Sequence, residues 1–257
     1  MSNIKKFRLT SFKNKNEILR LDKISFKYGK KIILDNLDLT LNGGEILGLL
    51  GPNGAGKTTI FNIITGFIAP DFGSVMIKSE KINKWPVSER ALKYRIGYVP
   101  QNSGYFSDLT VYENLKAIAE ITIANLSYRE EKINSLISKF ELDSIRDLKV
   151  SQISGGQRKR LTISLALVSD PKILLLDEPF AALDILTIKT LQEIIVNLQS
   201  ENQISIILCD HNASSLLKVT DTAAIIHNGK VIAKGTPSNL IRNIDARVYF
   251  GTSFKIS

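Results

Sequence analysis

The stretch Ile46-Leu-Gly-Leu-Leu50-Gly51-Pro52-Asn53-Gly54-Ala55-Gly56-Lys57-Thr58-Thr59 constrains this chain more than any other. Five mostly apolar residues read as a buried strand, the glycine-rich run as a tight loop, and the pattern after it as a helix. A strand that feeds a helix in this way opens a βαβ unit, so the expected fold is α/β with a parallel sheet. The loop fits G-x-x-x-x-G-K-[ST], whose glycines let backbone N–H groups converge on phosphate oxygens at a helix N-terminus. In such a loop Lys57 reaches the outer phosphates and the Thr58 hydroxyl ligates Mg²⁺.

Two further motifs carry chemistry. Ile173-Leu-Leu-Leu-Asp177-Glu178-Pro179 reads as a buried parallel strand with two carboxylates at its C-terminal end, where α/β sheets place their ligands. Asp177 suits a Mg²⁺ coordination sphere, and Glu178 suits a base that polarises a water. Ile153-Ser154-Gly155-Gly156-Gln157 contains S-x-x-Q, a capping box for the helix that follows. Two glycines in a first helical turn cost about 1 kcal/mol each. That calls for a reason beyond capping, and close approach of backbone to a phosphate supplies one.

Composition narrows the classes. The chain has 257 residues, of which 44% are hydrophobic and 23% charged, an ordinary globular balance. The single cysteine, Cys209, cannot form an internal disulfide, and both it and His227 read as packing residues in apolar strands. Neither a signal peptide nor an apolar run of about 18 residues is present, so a soluble chain is expected. The net charge is +9, but residues 1–31 hold ten basic side chains against Glu17 and Asp22, which leaves the remainder at +1. A nearly neutral body without aromatic-interleaved basic patches argues against nucleic acid as a partner. The basic arm, residues 1–17, has two readings: contact with anionic headgroups, or a solvated tail.

Along the chain, strands are expected at 18–21, 24–26, 32–41 and 46–50, with another ending at Val99. An all-helical stretch over about 103–153 opens with capping boxes at Thr110 and Ser127. Then come a helix at 155–169, a strand at 173–176, a helix at 184–200 and a strand at 204–208. A short helix near 213–218, strands around 222–227 and 230–234, and a helix from Pro237 complete the chain.

In this order the three motifs resemble the ATP-binding subunits of ABC transporters, over about residues 18–257. The resemblance implies an ABC-type P-loop NTPase core with an antiparallel β subdomain and an inserted α-helical subdomain. The core would comprise 18–102 and 154–240, the helical lobe 103–153 and a tail 241–257. It implies ATP and Mg²⁺ held by Gly51 to Thr59, with Thr58, Gln101 and Asp177 facing the metal. Tyr28 would stack on adenine, Glu178 and His211 would place the attacking water, and Gln101 would sense the γ-phosphate. Ser154, Gly155, Gly156, Gln157 and the Asp184 loop would close over ATP held by a second subunit, giving a homodimer. Ile153 stands where leucine is usual and Ile185 where proline is common; neither change removes a chemical group.

Two stretches, Gly97 to Leu115 and Val248 to Phe254, are similar more narrowly to the lipopolysaccharide-export branch of this family. That likeness implies integral-membrane partners of the LptF/LptG kind with LptC, a groove at Phe106 for a membrane subunit, and a place at the cytoplasmic face of the inner membrane. Branched-chain amino-acid importer ATPases are a near alternative. Soluble ABC ATPases without a transport role are a further one.

Overall fold

The computed structural model describes residues 16–102 and 104–243. The basic arm up to residue 15 and the ending Val248 to Phe254 lie outside the described residues. The elements begin with β1 (Glu17–Tyr28), β2 (Lys31–Asn42), β3 (Ile46–Leu50), α1 (Lys57–Thr65), β4 (Phe72–Ile77), β5 (Glu80–Lys81), α2 (Val87–Leu92) and β6 (Ile96–Val99). They continue with α3 (Val111–Thr122), α4 (Leu126–Lys139), α5 (Gly155–Leu167), β7 (Ile173–Asp177) and α6 (Ile185–Ser200). Last come β8 (Ser205–Cys209), α7 (Ala213–Val219), β9 (Thr222–His227), β10 (Lys230–Gly235) and α8 (Pro237–Arg242).

A six-stranded sheet in the order β10-β9-β3-β8-β7-β6 forms the centre, parallel from β9 to β6 with β10 antiparallel at one edge. Its inner strands are apolar on both faces, because each face has its own core. Ile46, Leu174, Leu176, Ile206 and Leu208 point to the side covered by α5, α6 and α7 and joined by the helical segment. Leu47, Leu49, Ile173, Leu175 and Ile207 point the other way, toward α1 and a second sheet. That second sheet is antiparallel, in the order β2-β1-β4-β5, and it closes the opposite core with Leu19, Leu21, Leu34 and Leu39. The α/β class with an antiparallel sheet and inserted helices is the fold observed.

Several details depart from the periodic reading. β1 is one strand rather than two; Lys23 adopts φ +50 and a register shift between Leu21 and Ile24 absorbs the irregularity. The cap of α4 is Asn125, whose side-chain oxygen accepts from the Tyr128 N–H at 2.9 Å, and not Ser127. Asparagine caps as well as serine does, and here it comes first in the chain. The expected capping box at Thr110 is present.

Two buried polar side chains fix loops through their backbone groups. Arg90, 2% exposed, donates to the carbonyls of Ile63 (2.7 Å) and Ile64 (3.0 Å) near the end of α1. It also donates to Trp85 O (2.9 Å) and Asn83 O (3.1 Å). Asn114, 1% exposed, accepts from Phe106 N–H at 2.7 Å and donates to Phe106 O at 3.0 Å and Thr110 O at 2.9 Å. Asn114→Ala would orphan these backbone groups, so a loss of about 2–3 kcal/mol is expected. Urea denaturation measures it; a change within about 0.5 kcal/mol would deny Asn114 that anchoring role.

Candidate active site

The glycine-rich loop leaves β3 and runs directly into α1. Gly51 has φ +149, and a Cβ there would lie 2.2 Å from the Ile226 carbonyl oxygen. Gly56 is the N-cap of α1 at φ +102 and offers no side chain to the first N–H groups of the helix. Those donors are therefore left for an anion, on the positive end of the helix dipole. The Lys57 ammonium is folded back into the loop, donating to Gly51 O at 2.8 Å and Pro52 O at 3.0 Å.

A cavity of about 380 Å³ lies over this loop, lined by Asn53, Gly54, Gly56 to Thr59, Gln101, Glu178 and His211. Glu178 sits just after β7 with φ +50, and its N–H donates to Cys209 O at 2.9 Å. Its two oxygens are both engaged: Oε1 lies 2.6 Å from His211 Nε2, and Oε2 accepts from Gln101 Nε2 at 2.6 Å. Strands β6, β7 and β8 thus deliver Gln101, Glu178 and His211 from separate parts of the chain to one spot.

Asp177, 1% exposed, lies behind this cluster. Its carboxylate accepts from Cys209 Sγ at 2.8 Å and from the Tyr98 hydroxyl at 3.4 Å. Burial, reinforced by this carboxylate, raises the pKa of Tyr98 and of the Cys209 thiol, keeping both as donors. Cys209 is buried as expected and also touches a site carboxylate; His227 is half-buried at the end of β9.

The oxygen donors Thr58, Gln101 and Asp177 are hard ligands suited to Mg²⁺. Among the described residues no three His, Cys, Asp or Glu side chains gather into a metal site of their own. Thr58 and Gln101 line the cavity while Asp177 lies behind it, so the first two would face a cation that takes its remaining ligands from phosphate and water.

Other candidates lie elsewhere. Tyr28 is 75% exposed at the end of β1 and does not line the cavity. Ser154 caps α5 with a complete capping box, Gln157 N–H donating to Ser154 Oγ at 3.2 Å and Ser154 N–H to Gln157 Oε1 at 2.8 Å. Gly156 has a packing reason inside the chain, since its Cβ would come within 2.7 Å of Thr187 Cγ2. Gly155 lines a neighbouring cavity with Arg158, Lys159 and Leu183, apart from the glycine-rich loop. Asp184 caps α6, accepting from Thr187 Oγ1 at 2.6 Å, a bond that lowers its pKa. Phe106 is 57% exposed and so is not a core aromatic.

Three residues escaped the sequence reading. Lys31 and Ile33, at the start of β2, line the loop cavity. Lys159 donates to Gln101 O at 3.0 Å, tying α5 to the segment that follows β6. Burial lowers the Lys159 pKa, while Asp210, Asp177 and Glu178 oppose that shift.

Residues 34–181 match the ABC transporter family model. The chain belongs to the ABC transporter ATP-binding family. It is therefore an ATPase of that family. The chain is 40% identical over 241 residues to the lipopolysaccharide export system ATP-binding protein LptB of Haemophilus influenzae, covering 93% of this chain and 99% of that one. It is 38% identical over 231 residues to LptB of Escherichia coli K12, with 89% and 95% covered. A solved dimeric ATP-binding cassette, MJ0796 bound to ADP and Pi, superposes with a TM-score of 0.77 at 26% identity, covering 86% of this chain and 99% of that one. Homologous cassettes thus bind nucleotide and form dimers. No described helix is long and apolar enough to cross a membrane.

Proposed function

We propose that this ATPase powers extraction of lipopolysaccharide from the inner membrane toward the outer membrane. Similarity to LptB along nearly the whole of both chains carries the reading. The working unit is a homodimer on the cytoplasmic face, beneath LptF/LptG-like membrane subunits with LptC. The exposed Phe106 ring, on a segment pinned by Asn114, offers an apolar contact for a membrane subunit.

In the catalytic reading, the α1 N–H groups and Lys57 bind the phosphates of ATP. Tyr28 stacks on the adenine, and the Ser154 to Gln157 segment closes over ATP on the second subunit, with Asp184 near the junction. Thr58 and Gln101, with Asp177 behind them, would hold Mg²⁺, which when bound supplies charge neutralisation for the phosphoryl oxygens. Glu178 accepts the proton of the attacking water, and His211 and Gln101 orient the carboxylate from either side.

Affinity capture from detergent-solubilised membranes tests the assignment. Recovery of LptF/LptG-like subunits, together with stimulation of the ATPase by lipopolysaccharide, is expected. Recovery of an amino-acid permease would overturn it.

A further inference from the structure

A second concavity, of about 270 Å³, lies at the opposite edge of the parallel sheet, where β6, β7 and β8 begin. Four basic side chains line it from separate segments. Arg95 and Lys172 immediately precede β6 and β7, and Lys132 and Lys139 sit on α4. The Lys172 N–H donates to Arg95 O at 2.8 Å, which holds those two residues side by side. A spacing of seven puts Lys132 and Lys139 on one helix face.

The charge in this cleft is only partly balanced. Asp170 already pairs with Lys132 at 2.5 Å and accepts from the Tyr128 hydroxyl at 3.2 Å. Lys139 lies 3.6 Å from Glu201 and donates to Asn202 at 2.9 Å. Among the described residues, neither Arg95 nor Lys172 has an ion-pair partner. Two uncompensated cations thus meet in one cleft, although the chain beyond residue 31 is almost neutral. The floor is apolar, formed in part by Leu136 and Ile204.

We infer that this cleft is a second anion site that takes a small phosphorylated molecule, distinct from the nucleotide cavity. A phosphomonoester carries close to two negative charges at neutral pH, matching the two cations left over. A guanidinium fork beside an ammonium suits its oxygens. The cleft is smaller than the roughly 380 Å³ nucleotide cavity, which favours a ligand smaller than ATP. A bound phosphate would bridge α4 to the starts of β6 and β7, so occupancy would also raise thermal stability.

Calorimetry on the full chain saturated with ADP, titrated with glycerol 3-phosphate, tests this. One molecule per chain is expected with a Kd of about 1 mM or tighter. Arg95→Gln with Lys172→Gln should weaken it at least about tenfold, as loss of charged hydrogen bonds requires. ATP turnover in that variant should stay close to wild type, which shows that it is folded. A control, Lys116→Gln with Lys189→Gln, removes the same charge from exposed positions elsewhere and should bind like wild type. The inference is overturned if wild type does not bind, if the Arg95/Lys172 variant binds unchanged, or if the control loses as much. Flotation with vesicles of phosphatidic acid and phosphatidylcholine separates the sources. Flotation that depends on Arg95 and Lys172 assigns the phosphate to a lipid headgroup; binding of glycerol 3-phosphate alone assigns it to a soluble ligand.

Discussion

Glu178→Gln is expected to bind ATP as wild type does and to lose at least about 100-fold in turnover, the range for removing a general base. The substitution conserves shape, so the loop and the backbone turn at φ +50 are retained. What changes is the acceptor. In the native chain one carboxylate oxygen lies 2.6 Å from His211 Nε2 and the other 2.6 Å from Gln101 Nε2. With glutamine, one position becomes an N–H₂ donor facing either the Gln101 amide or the imidazole, and no anionic oxygen is left to take a proton. Phosphate release measured beside equilibrium ATP binding separates the two effects. The variant should also accumulate as an ATP-bound dimer on size exclusion. Turnover near that of wild type would remove Glu178 from its assigned role.

Lys57→Met is expected to act on binding instead. Lys57 is 6% exposed and its ammonium is held by the carbonyls of Gly51 and Pro52, so its position is fixed before any ligand arrives. Methionine keeps most of the packed stem and removes the charge. Hydrogen bonds to charged groups contribute about 1.5–3 kcal/mol each, which predicts roughly 10- to 150-fold weaker ATP binding. Titration with a fluorescent ATP analogue reads the loss, and unfolding of the nucleotide-free protein serves as control. Affinity within about threefold of wild type would show that the backbone N–H groups suffice.

The strands of the parallel sheet were legible because continuous apolar runs such as Ile173 to Leu176 leave few alternatives. The glycine-rich loop and Glu178 were legible from the apolar runs just before them, and His211 from the family resemblance. What escaped depends on pairing between distant segments. The register that sets Asp177 opposite Cys209 brings the thiol onto a site carboxylate, and no local pattern announces it. β4 was missed because Phe72-Gly-Ser-Val lacks clean alternation, its strand character coming from pairing with β1. Lys31 and Lys159 carry no motif, and only the fold turns one toward the cavity and the other onto the Gln101 carbonyl.

Arg90 makes the two ends of α1 unequal in what they leave open. The C-terminal end of any helix carries partial negative charge, and here a buried guanidinium already satisfies the last carbonyls. The protein thus completes one pole internally and leaves the other open, so nucleotide binding at the proposed site and the 83–90 segment would pull on the two ends of one short rod. At nine residues that rod is roughly 13 Å long. Amide hydrogens of α1 should therefore exchange more slowly once ATP is bound, and freeing the Arg90 end by mutation should blunt that protection without touching a single phosphate contact.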